Sequence, residues 1–184
     1  MAQASTAMGF LKYFWKDPSV DIHSNYLIFC AIPVNLFLWG CKSWELRETM
    51  WSKLEVFFHR SIRKILSITI TQVIDERITN ESVLMRFFRI PSICNLLEKQ
   101  QLTFIGKVVR NSDNQIPTRL LTSWCDHPRR RGGVLQTNKK NLCRNIQLII
   151  PKAAKDGRLS SWAFYALNSS YWNYLISTLG TQPQ

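Results

Sequence analysis

The sequence predicts an all-α chain: an irregular helical bundle that carries a basic loop. Three observations predict it. Apolar residues recur at helical spacing, most clearly between Trp44 and Ser67, where Met50, Leu54, Phe57, Phe58, Ile62, Ile65 and Leu66 share one face. Thr, Asn and Ser stand just before such runs, where a side-chain oxygen caps the first orphan N–H groups of a helix. Finally, 46% of the 184 residues are apolar, with seven Trp and ten Phe. Several helices must meet to bury rings of that size.

Taken in order, Ala2 to Trp15 reads as a helix, broken by Asp17-Pro18-Ser19-Val20 because proline restricts itself and the residue before it. Tyr26 to Trp39 is an apolar helix, kinked or restarted near Pro33. Trp44 to Ser67 is the clearest helix. Ile68 to Ile78 is β-branched and interrupted by charge, so it reads as a loop. Thr79 or Asn80 caps a short helix to about Arg89, and Pro91-Ser92 introduces another that ends near Arg110. Asn111 to Ile116 is turn-like. A short helix follows from Pro117 through Leu121 and Trp124. His127 to Gln136 holds Pro128, Gly132 and Gly133 and reads as a loop. A helix from about Asn138 to Ile150 comes next. Ser160 to Leu179, aromatic and uncharged, forms a last helix pair. Composition shows neither an internal repeat nor a low-complexity tract.

The formal charge is +12, and it is unevenly placed. Residues 1–44 and 45–98 each carry a net +1. Residues 99–158 carry 13 basic against 3 acidic residues, and residues 159–184 carry none of either sign. A merely soluble surface mixes its charges, so a polyanion is the natural partner of this segment. The five cysteines (Cys30, Cys41, Cys94, Cys125 and Cys143) are odd in number and mostly sit in apolar runs, which points to reduced thiols inside a cell. The first residues lack the basic and apolar regions of a secretory signal. The apolar stretch Tyr26 to Cys41 is 16 residues and contains Pro33 and Asn35. A span needs about 20, so it reads as a buried helix. The chain is expected to be intracellular, nuclear or cytoplasmic.

Several chemistries find no residues. Polymerase and nuclease sites hold two metals with clustered carboxylates, but Asp17, Asp21, Asp75, Asp113, Asp126 and Asp156 form no Asp-Asp or Asp-x-Asp pair, and Pro18 spoils a shared face for Asp17 and Asp21. Cys125, His127 and Cys143 lack the paired short spacing of a zinc site. His23, His59 and His127 are far apart, and His59 lies among aromatics as a structural residue. The sequence therefore predicts no catalytic residue, no metal and no cofactor.

The strongest positive feature is Arg129-Arg130-Arg131 beside Gly132-Gly133, followed by Lys139, Lys140 and Arg144. Guanidinium forks pair with phosphate oxygens, giving affinity without sequence reading. A nuclear-localisation-like run or a solvated loop would look similar, but the surrounding excess of positive charge favours phosphate contact. Lys53, Arg60 and Lys64 form a second candidate set. At roughly 100° per residue they fall within about 40° on one helical stripe, although lysine and arginine also populate ordinary solvated faces.

Leu38-Trp39-Gly40-Cys41-Lys42-Ser43-Trp44-Glu45-Leu46 resembles a block of non-LTR (LINE-like) retrotransposon reverse transcriptases. Four further blocks follow in the family's order. They are the helix with Leu54, Phe57, Arg60, Arg63, Ile65, Leu66 and Ile68; Arg77-Ile78-Thr79-Asn80-Glu81; Ile90-Pro91-Ser92 with the helix Gln101 to Arg110; and the arginine loop. The similarity covers roughly residues 24–145. Lys42 stands where the family usually has Glu, Lys107 replaces the usual His, and Val134 follows the glycines where the family has Arg-Pro. The resemblance implies a thumb-like all-α region that grips the template–primer, with the catalytic aspartates in an upstream palm motif absent from these residues. It divides the chain into residues 1–23 continuing from a palm, a thumb-like bundle at 24–110, a basic post-thumb segment at 111–158 and an aromatic tail at 159–184. The implied partners are RNA, DNA or an RNA–DNA hybrid, and a palm-bearing reverse transcriptase chain. Two other readings stay open: a peripheral membrane protein, although its charge lies some 60 residues from Tyr26–Cys41, and a retroelement relic without selected function.

Overall fold

The computed structural model describes residues 2–44, 46, 48–111, 115–116, 138–151 and 159–179, with the backbone alone at 138–141 and 159–161. Its described residues contain helices and no strand, so the chain is all-α as expected. They form two compact units. The first comprises residues 1–40 and 46–96, and the second residues 41–45 and 97–184. The units do not coincide with the four sequence segments.

The first unit begins with α1 (Ala2–Phe10) and a tight 3-10 turn at Phe14–Lys16. The expected single helix to Trp15 is thus interrupted. Trp15 is buried in that turn, and its Nε1 donates to the Met8 carbonyl at 3.3 Å. Asp21 caps α2 (Ile22–Phe29) by accepting from the Ser24 amide. The helix then passes through a π-helical turn, Cys30–Val34, into α3 (Asn35–Phe37). Pro33 lies inside that turn. Proline has no N–H to give, and a one-residue wider register is a known way to accommodate it. The predicted disturbance at Pro33 is therefore a widened turn.

The long amphipathic helix is α4 (Glu48–Ile65). It starts later than the expected Trp44. Cys41–Ser43 form a 3-10 turn, and in the second unit the Gln101 amide donates to the carbonyls of Cys41 and Trp44 at 2.9 and 3.0 Å. Those carbonyls have found a side-chain partner, so no helix is needed to satisfy them. The face of α4 with Leu54, Phe58, Ile62 and Ile65 is buried.

Ile68–Ile78 is not wholly a loop. It contains α5 (Ile70–Asp75), held by a capping box in which Thr69 accepts from the Gln72 amide and Gln72 accepts from the Thr69 amide. α6 (Asn80–Arg86) is capped by Thr79. It ends before the expected Arg89 because Phe88 and Arg89 both adopt left-handed backbone, at φ 53° and 48°. That turn sends Phe87 and Ile90 into the core. The core is an aromatic cluster: Phe29 lies 5.8 Å from Phe58 and 5.6 Å from Phe87, and Phe37 lies 4.6 Å from Phe57.

α7 (Ile93–Arg110) begins in the first unit and continues into the second. Ser92 accepts from the Asn95 amide, as the Pro91-Ser92 signal predicted. In the second unit it is joined by α8 (Asn138–Ile149), α9 (Leu159–Leu167) and α10 (Ser169–Ser177). The helix near 138–150 and the final helix pair are therefore present. Leu102, Ile146, Trp162, Ala166, Trp172 and Ile176 form the core here, with the Trp162 and Trp172 rings stacked 6.2 Å apart. The expected helix at 117–124 and loop at 127–136 lie outside the described residues. No described helix is long and apolar enough to cross a membrane.

Candidate nucleic-acid interface

The charge also divides unevenly between the compact units. The second unit carries 14 lysines and arginines against 5 acidic residues, a net +9, and the first unit carries the remaining +3. The arginine run Arg129-Arg130-Arg131 lies outside the described residues. Lys139 and Lys140 lie in the first turn of α8, where the backbone alone is described. Positive side chains near a helix N-terminus oppose the helix dipole, and a bound anion would offset that cost.

Arg144 is two turns into α8, and its side chain is 52% exposed. Its Nη2 is 3.3 Å from Glu98 Oε1, and that carboxylate is 8% exposed. Burial pushes the Glu98 carboxyl above its ordinary value, and the Arg144 charge opposes the shift. Arg144 thus serves the fold as counter-ion to a buried acid, a role that sequence spacing alone did not reveal. Beside it, Asn145 Nδ2 donates to Gln101 Oε1 at 2.7 Å, and Cys41 Sγ donates to Gln100 Oε1 at 3.2 Å. This buried polar network ties α7 to α8 and to the Cys41–Ser43 turn.

The second candidate set is on the first unit. Lys53, Arg60 and Lys64 are all exposed on α4, along one stripe away from its buried face. Arg63, one position from that stripe, is half-buried and donates to Asn80 Oδ1 at the start of α6. It acts within the fold, while its three neighbours face solvent.

Sequence reasoning gave no separate weight to the basic end of α7. Lys107 is exposed and Arg110 half-buried in its last turn, where positive charge favours the helix dipole. Arg110 Nη1 donates to the Ala166 carbonyl at 2.6 Å, anchoring α9 to α7. Lys42 Nζ sits 5.7 Å over the Phe104 ring. The signal for Lys107 and Arg110 was present in the block Gln101 to Arg110, but their closeness to the aromatic tail required the fold.

Among the described residues, no three of His, Cys, Asp and Glu could hold a metal ion. His59 is buried, with Nδ1 donating to the Glu55 carbonyl at 2.9 Å. Burial, opposed by that hydrogen bond, leaves its pKa below the ordinary histidine value. The described cysteines (Cys30, Cys41, Cys94 and Cys143) are reduced thiols, and only Cys41 is fully buried. Burial raises the Cys30 and Cys41 thiols, so neither is an activated nucleophile. No family model, curated protein or solved structure matches the chain.

Proposed function

We propose that this chain is a nucleic-acid-binding region of the kind the thumb and post-thumb of a non-LTR retrotransposon reverse transcriptase supplies, gripping template–primer phosphates without performing chemistry itself. The observation that carries the reading is the net +9 gathered in one helical unit against +3 in the other. A polyanion offsets the self-repulsion of such a unit. The all-α architecture and the order of the resembling blocks support the same reading. Arg129, Arg130, Arg131, Lys139 and Lys140 are assigned to phosphate contact, Lys53, Arg60 and Lys64 to a second contact set, and Arg144 to a lesser share because Glu98 engages it. The partners are RNA, DNA or their hybrid, with a palm-bearing chain supplying catalysis.

The test is fluorescence anisotropy of the purified chain with a labelled RNA–DNA hybrid across a salt series. Each phosphate contact contributes a slope of about −0.9 in log K against log salt on B-form DNA. On that scale five contacts give a slope of about −4.5. Salt-independent association, or none from a folded sample, overturns the reading.

A further inference from the structure

The uncharged tail is not only a core-forming pair. On α9 and α10 a row of aromatic side chains faces outward: Phe164 at 76% exposure, Tyr171 at 44% and Tyr174 at 62%, with half-buried Tyr165 between them. Successive rings touch. The Phe164–Tyr165, Tyr165–Tyr171 and Tyr171–Tyr174 centroids are 6.1, 6.1 and 6.3 Å apart, the last two pairs tilted by only 31° and 32°. The core of the unit is filled by Trp162 and Trp172 with Tyr165 packed against it, so the exposed rings of Phe164, Tyr171 and Tyr174 are surplus to it. The basic end of α7 lies close by. Arg110 bonds to the Ala166 carbonyl between the aromatic positions, and Gly106, next to exposed Lys107, packs on Trp172 of α10.

We infer that this row is a stacking platform for the unpaired bases of a single-stranded nucleic acid, whose phosphates the +9 unit attracts. The inference rests on the nucleic-acid reading above and adds which form of nucleic acid this surface takes. Three features choose the occupant. The rings are mostly tyrosines with exposed faces in a row, and aromatic faces accept any base by stacking. The positions among them on α10, Ser169, Ser170, Asn173 and Ser177, are exposed and polar, suited to base edges. A helix that lies in a lipid surface sets its Trp, Phe and Leu face against a face rich in Lys and Arg, whereas α9 and α10 contain no Lys or Arg and Leu167 is the exposed aliphatic side chain among their described residues. Lastly, positive charge beside aromatic rings is the pairing a strand of bases and phosphates requires. Within a duplex every base face but those of the terminal pairs is stacked on its neighbour, and the grooves show only base edges, so a hybrid gains little from the row.

The experiment compares full-length wild type with Y171A/Y174A and Y171F/Y174F. The probes are a labelled single-stranded RNA, an RNA–DNA hybrid and vesicles containing anionic lipid. Circular dichroism and the melting midpoint report folding, which exposed tyrosines should not disturb. The alanine pair is expected to lose on the order of fivefold to a hundredfold per ring in single-strand affinity. Its hybrid affinity and salt slope should be unchanged, and the phenylalanine pair should bind like wild type. If the alanine pair binds single strands as wild type does while the hybrid still binds with a steep salt slope, the platform is refuted and the phosphate-binding reading stands. If the substitutions weaken vesicle binding and leave RNA untouched, the row is a lipid-facing surface and the inference falls. If neither nucleic acid binds, both readings fall together.

Discussion

Gly106 shows how tightly single positions are specified. It sits inside α7, where glycine is about 1 kcal/mol worse than alanine. A Cβ there would lie 2.3 Å from Trp172 Nε1, and that nitrogen donates to the Leu102 carbonyl at 3.0 Å. The indole is fully buried and stacked on Trp162, so it has nowhere to move. G106A should therefore destabilise the second unit despite the gain in helix propensity, by roughly 1–3 kcal/mol as overpacking does, read as a lower melting midpoint. An unchanged or raised midpoint would mean that Trp172 yields. His59 predicts a pH effect. Its folded pKa lies below the ordinary 6.5, so the unfolded chain binds the proton more readily. Its contribution to stability is present above pH 6.5 and lost as pH falls through the lower folded value. H59Q should flatten the part of the stability profile just below pH 6.5. Glu98 has the opposite sign. Its folded pKa is raised above 4.5, so stability declines as pH rises from 4.5 through the folded value. R144A removes its counter-ion and should cost more at pH 7 than at pH 5, measured by chemical denaturation at both. Equal losses at the two pH values would place the role of Arg144 elsewhere.

At the scale of the element, what was legible followed from local chemistry. Pro91-Ser92 announced α7, Thr79 announced α6, and apolar periodicity announced the buried face of α4. What was not legible depended on contacts far away in sequence. α4 begins at Glu48, and the carbonyl of Trp44 before it accepts from Gln101, 57 residues further on. α6 stops at Arg86 because Phe87 belongs to the aromatic core, and two left-handed residues are accepted to bury it. α5 is different, since its signal was local: Thr69 and Gln72 have capping-box spacing, but the β-branched run Ile68-Thr69-Ile70-Thr71 masked it. T69A should cost about 1 kcal/mol and speed hydrogen exchange at the Gln72 and Val73 amides. No change in their exchange would show that packing, not the cap, maintains this helix.

Across the whole molecule, the sequence disclosed the charge asymmetry in full and the geometry of the basic residues only in part. Clustering of 13 basic residues between 99 and 158 is readable without a structure. The engagement of Arg144 by Glu98, or of Arg63 by Asn80, is not, because each partner comes from another helix. The same holds for the aromatic tail. Composition announced helices rich in rings, but which rings fill the core and which face outward depends on α7 and α8 packing against Trp162 and Trp172. The result is one unit built around phenylalanines with a small charge excess, and a second built around stacked tryptophans that bears most of the positive charge.

The most direct test of the central claim is the salt dependence of RNA–DNA hybrid binding by wild type and by R129A/R130A/R131A. If phosphate contact is what the basic segment does, the triple variant should bind every sequence more weakly and lose about one unit of slope per lost contact. An unchanged slope, or a loss confined to one sequence, would contradict the account.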